Sequence, residues 1–89
     1  MLFKYGKIVA TPGAAALLAG TTSVTASRLL FRHVSGDFGD MCADDVDENN
    51  YAIANGLRVM SAYPVAGEKL WVITEADRSV TTFLLPEEY

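Results

Sequence analysis

At 89 residues and 51% hydrophobic content, the chain is long enough for one small core and too apolar to remain disordered. Eleven acidic against seven basic side chains leave a net charge of −4, which argues against a protein held on nucleic-acid phosphate. One cysteine, Cys42, excludes an internal disulfide, and one histidine, His33, cannot complete a zinc site with it unless several carboxylates join; no metal or other cofactor is expected.

The expectation is a single domain over residues 1–89. Phe3 to Ala10 has weak strand character, with Lys4 and Lys7 suited to an exposed edge. Lys4 and Lys7 also precede a mostly apolar run, Ile8 to Gly20, with Val24-Thr25-Ala26 beyond it, the outline of a secretory signal. Pro12 and Gly13 interrupt that run, so a retained segment is expected, and no apolar stretch reaches the ~20 residues a membrane helix needs. Thr11-Pro12 is a helix start, threonine as N-cap and proline at the first helical position, with Gly20 as the stop.

Thr22 or Ser23 is the expected cap of a second helix running to Val34, with Ala26, Leu29, Leu30 and Val34 at helical spacing. Ser35 to Gly39 breaks it. Asp40 is the expected cap of a third helix, Met41 to Asn55, closed by Gly56, with Ala43, Val46, Asn50, Ile53 and Ala54 facing inward. From Leu57 the period changes to two. Leu57 to Tyr63, Lys69 to Glu75 and Ser79 to Leu85 read as three strands, joined at Pro64 to Glu68 and at Glu75 to Ser79, and ended by Pro86. The fold class is therefore α+β, with N-terminal helices packed on one face of a three- to four-stranded antiparallel β-meander.

Three segments carry a resemblance: Arg32 to Asp40 (RHVSGDFGD), Asn55 to Tyr63 (NGLRVMSAY) and Leu70 to Tyr89. Laid out in order, the chain resembles a family of small proteins of no settled function carried on plasmids, integrative elements and phages of proteobacteria. Phe38 stands where relatives usually have tryptophan. Members are sometimes labelled a modification subunit of a type I restriction system. This chain has neither a glycine-rich cofactor loop after a strand nor an Asn-Pro-Pro-aromatic motif, and it is too short for a methyltransferase domain. The resemblance implies a cytoplasmic accessory protein and assigns no catalytic residue.

Six acids, Asp37, Asp40, Asp44, Asp45, Asp47 and Glu48, fall in a stretch with no lysine or arginine between Arg32 and Arg58. As a functional feature they form a surface for a protein partner, together with the Asp77-Arg78 turn. As an ordinary feature they are a solvated helix N-terminus favoured by the helix dipole. Asp45, Asp47 and Asn49 follow the start of a calcium loop, but Asn50 stands at its glycine position and Gly56 at its glutamate position, so that reading fails. Cys42 is expected to be a small, partly buried side chain.

His33, Arg58, Arg78 and Thr82 supply the alternative. They are the inventory of a small ribonuclease: a general base, arginines for a charged phosphorane and a hydroxyl for phosphate. The order of helices followed by a meander is similar to that of the barnase/RelE/EndoU-like nucleases, an analogy of fold alone. That reading requires the four side chains to share one cleft. Trp71, Phe83, Met60 and Tyr89 are core aromatics and neighbours that, if turned away from the helices, form a patch for a partner or for a homodimer.

Overall fold

The computed structural model describes residues 1–89. Its elements run β1 (Lys7–Ala10), α1 (Pro12–Ala19), α2 (Ala26–Val34), α3 (Ala43–Asn55), β2 (Val59–Val65), β3 (Glu68–Thr74), β4 (Val80–Leu84) and a 3-10 turn (Pro86–Glu88). Helices and sheet make it α+β. The switch from helical to pleated backbone falls at Gly56, whose φ of 67° closes α3 in the left-handed region.

β2, β3 and β4 form the expected antiparallel meander, with Ser61 opposite Val72 and Val72 opposite Phe83. Two features correct the expected architecture. β1 joins the sheet beside β4 and runs parallel to it, so the sheet is mixed, in the order β1-β4-β3-β2. The helices also lie between β1 and β2 in the chain rather than ahead of the whole sheet. A parallel partner requires a long connection, and here it runs through the three helices and then β2 and β3 before β4 returns beside β1.

Alternation along the strands defines two faces. Val59, Ser61, Tyr63, Val65, Leu70, Val72, Thr74, Thr81 and Phe83 point one way and are buried. α1 and α2 cover this face through Ala14 and Leu29, which join Tyr63, Leu70, Val72 and Phe83 in the larger core cluster. A smaller cluster of Phe3, Val34, Phe38, Ala52 and Val59 ties the N-terminal segment, α2 and α3 to the start of β2. The opposite face carries Met60, Ala62, Trp71, Ile73, Thr82 and Leu84.

Helix starts follow capping chemistry. Thr11 Oγ1 accepts from the Ala14 N–H, as expected for α1. For α2 the cap is Thr25, accepting from the Arg28 N–H, because Thr21 and Ser23 are engaged with each other in a turn just before. The cap position of α3 is Cys42, not Asp40, whose N–H instead bonds Ala62 O at 2.7 Å and keeps that residue in the segment lying along β2. Cys42 is exposed, not partly buried.

α3 lies along the outer edge of β2 and seals it. Asn49 donates from Nδ2 to Met60 O (2.7 Å), and its Oδ1 accepts the Met60 N–H (3.1 Å), so one side chain stands in for a strand residue. Next along the edge, Phe38 O accepts the Ala62 N–H at 3.0 Å, and Gly39 forms a parallel bridge to Ala62. Gly39 has φ 72°, and a Cβ there would collide with Ala62 O. Pro64 follows with no N–H to offer. The inner face of α3 is therefore Val46, Asn49, Ala52 and Ile53; Ala43, Asn50 and Ala54, expected inside, are exposed. The sheet's other edge is open. Lys7 N–H bonds Ser79 O and Thr11 N–H bonds Phe83 O, which turns the backbone groups of Ile8 and Ala10 outward.

The C-terminal turn closes the structure over β1 and α1. The Glu88 carboxylate accepts from the N–H groups of Gly13 and Leu85, both at 2.9 Å, and from Thr11 Oγ1. These bonds hold it below its ordinary carboxylate pKa, the Thr11 hydroxyl contributing most.

Candidate functional site

A groove of about 880 Å³ runs between α3 and the sheet face turned away from α1 and α2. Its α3 side carries Asp45, Asp47 and Glu48, with Asp40 and Met41 from the preceding loop. Its floor is Met60 and Ala62 of β2 and the half-buried Trp71 of β3, and Arg58 and Lys69 stand on the sheet side. Alternation puts Arg58, Met60 and Ala62 on one side of β2, and the seal along the β2 edge presses the acidic turns of α3 against them.

The ion pairs of the protein are Arg32–Asp37 and Arg58–Glu75, so none of the four groove carboxylates is paired. Arg58 is occupied: it approaches Glu75 at 3.3 Å and donates from Nη1 to the Tyr89 hydroxyl at 2.7 Å. That hydrogen bond, with the Glu75 charge behind it, raises the Arg58 pKa. Tyr89 in turn sits edge-on to Trp71, ring centres 5.8 Å apart, and the Arg58 guanidinium lies 6.0 Å from the Tyr89 ring. The groove thus has an acidic wall without counter-charge, an apolar floor, and one free cation, Lys69.

Of the acids expected at a partner surface, Asp40, Asp45, Asp47 and Glu48 come together here, while Asp44 lies outside the groove. Asp37 is held by Arg32 through two bonds, Nε–Oδ2 at 2.7 Å and Nη2–Oδ1 at 3.2 Å, and by the Gly39 N–H; the Arg32 bond chiefly depresses its pKa. Asp77 closes its turn by accepting from Ser79 N–H and Oγ, which likewise lowers its pKa.

Arg78 is a fastener. It holds φ 63°, and its guanidinium donates to Leu57 O (2.6 Å) and Ala52 O (3.2 Å), where α3 ends, and to Glu75 O (3.1 Å) in its own turn, tying the two together. It also lies over the Phe3 ring at 5.4 Å.

His33 is completely buried on the helix-covered face. Its Nδ1 lies 2.6 Å from Ser61 Oγ and its Nε2 2.9 Å from Thr74 Oγ1; Thr74 Oγ1 lies 2.6 Å from Thr81 Oγ1, and Thr81 donates to Tyr5 O at 2.7 Å. One end fixes the direction of the whole chain. Thr81 spends its proton on the carbonyl, so Thr74 donates to Thr81 and Thr74 accepts from His33 Nε2–H. Nδ1 is then the acceptor, and Ser61 donates to it. Burial, reinforced by the Arg78 charge, lowers the His33 pKa to about 4 and keeps the ring neutral. His33 and Ser61 are both fully buried, and the hydrogen bonds of His33 tie α2 to β2 and β3.

The four residues of the nuclease alternative are therefore dispersed. His33 is enclosed on one sheet face, Arg58 and Thr82 lie on the other, and Arg78 is committed to backbone carbonyls. No group of three or more histidine, cysteine or acidic side chains is arranged to hold a metal ion. No helix is long and apolar enough to cross a membrane. No family model, curated protein or solved structure matches the chain.

Sequence reasoning missed Asn49, Met41 and Lys69 as parts of the groove and its support, and Ser61, Thr74 and Thr81 as partners of His33. The last three carried a signal. Small hydroxyl residues at inward positions of consecutive strands, between Val59, Val72 and Phe83, call for a buried polar partner.

Proposed function

We propose that the protein is a small accessory protein of a mobile genetic element that acts by binding a protein partner, a component of a host defence or regulatory system. The observation that carries the binding reading is the groove: four unpaired carboxylates, three on α3 and Asp40 in the loop before it, beside a floor of Met60 and Trp71 on the strands. The mobile-element setting is supported by the sequence resemblance. The same carboxylates repel nucleic acid, which favours a protein over a direct phosphate ligand.

Affinity capture from a bacterial host, followed by mass spectrometry, tests it. The wild-type chain is compared with Asp45→Asn/Asp47→Asn/Glu48→Gln, and with Asp44→Asn, which changes an acid outside the groove. Loss of one partner from the triple variant alone supports the reading. Retention of every partner at full strength by the triple variant refutes the groove as the interface.

A further inference from the structure

Resting on that reading, we infer that the groove receives a cationic segment of its partner, arginine or lysine residues flanking an apolar anchor. Sealing of the β2 edge sets the mode. Asn49 and the Gly39 segment occupy the outward backbone groups of Met60 and Ala62, and Pro64 has no N–H, so an added strand finds no backbone donor from Met60 to Pro64 and recognition falls to side chains.

Charge then selects the occupant. Arg58 is neutralised by Glu75 and held by Tyr89, which leaves Lys69 alone against four carboxylates. An anionic segment meets net repulsion along the α3 wall. A cationic one meets complementary charge, and its approach is steered by that field.

The floor supplies the anchor site. Met60 and Met41 are unbranched and adapt to an apolar side chain. Trp71 offers part of its ring to the groove, and an indole is the best aromatic partner for a guanidinium. A related contact exists at the rim, where the Arg58 guanidinium lies 6.0 Å from the Tyr89 ring and Tyr89 meets Trp71 edge-on.

Trp71 is the sole tryptophan, so its fluorescence reports the groove directly. Three short peptides serve as probes: leucine flanked by arginines, by glutamates and by glutamines. The arginine peptide is expected to shift Trp71 emission saturably, the glutamate peptide not at all. Its affinity should fall about tenfold in Asp45→Asn/Asp47→Asn/Glu48→Gln, and should weaken as salt is raised from about 0.05 to about 0.5 M. Circular dichroism confirms that the variant is folded. Equal shifts with all three peptides overturn the charge inference and leave the groove as a binding site. Equal affinity in wild type and variant overturns it by placing the peptide elsewhere. No shift with any peptide, together with dimeric mass in sedimentation, overturns it in favour of a second copy of the chain. No shift with any peptide from a monomer overturns it outright, and the capture experiment then decides separately whether any protein uses the groove.

Discussion

Acidification should destabilise this protein well before its carboxylates titrate, because of His33. Unfolded, the imidazole takes a proton near its ordinary 6.5; folded, it refuses one until about pH 4. Below 6.5 the unfolded chain therefore binds a proton the native state does not, and stability falls with pH from 6.5 down to about 4; above 6.5 the contribution is whole. The shift corresponds to ~1.4 kcal/mol per pH unit within the window and ~3 kcal/mol across it. For a chain of this length total stability is on the order of 4–13 kcal/mol, so the loss is a large fraction of it. Asp37, Asp77 and Glu88 have depressed values and also contribute stability that acid removes, but only below their ordinary 3.8 and 4.5. The range from about pH 6.5 to 5 thus isolates the histidine. Urea unfolding at several pH values measures the slope, and His33→Gln should flatten it. Nitrogen NMR shifts should show a neutral ring protonated at Nε2. A wild-type stability that stays level from pH 7 to 5, or an Nδ1–H tautomer, refutes the reasoning.

Asn49→Ala removes both bonds to Met60 and uncovers the β2 edge; a loss of about 2 kcal/mol and a new tendency to self-associate are expected, read by urea unfolding and size-exclusion chromatography. Asn49→Asp, which still accepts from Met60 N–H but faces Met60 O with a carboxylate, should be no better than alanine. Arg78→Ala is expected to cost about 2 kcal/mol by removing three side-chain hydrogen bonds, the one to Leu57 O above all, since Ala52 O and Glu75 O keep backbone donors, while keeping a side chain at positive φ; Arg78→Gly, which relieves the φ, should recover part of that in the same assay. Glu88→Gln should speed amide exchange at Gly13 and Leu85. In the wild type the same protection should persist above pH 4.5 and fade as acid protonates the carboxylate below its depressed pKa.

The meander was legible because its information is local. Strand alternation from Val59 to Leu84 and the turns between them put the right residues on each face. β1 was legible only as an edge. Its partner lies at the far end of the chain, and nothing in Lys7 to Ala10 names a parallel neighbour. α3 shows a different limit. Hydropathy does not distinguish Asn49 from Asn50, and only the exposed backbone of Met60 decides which asparagine turns inward. The acidic run marked the groove wall, yet the floor came from strand positions whose exposure depends on where α3 settles. Arg78 and Asp77 looked like surface chemistry because a side chain's commitment to backbone groups leaves no trace in composition.

The parallel pairing of β1 with β4 has a mechanical consequence. The segment leading into β1 leaves one end of the ladder, and the segment following β4 leaves the other. Tension between those segments loads Lys7–Val80, Ile8–Thr81, Val9–Thr82 and Ala10–Phe83 together in shear, rather than peeling them apart in turn. The protein should thus withstand stretching far better than a hairpin of equal length pulled open from its ends.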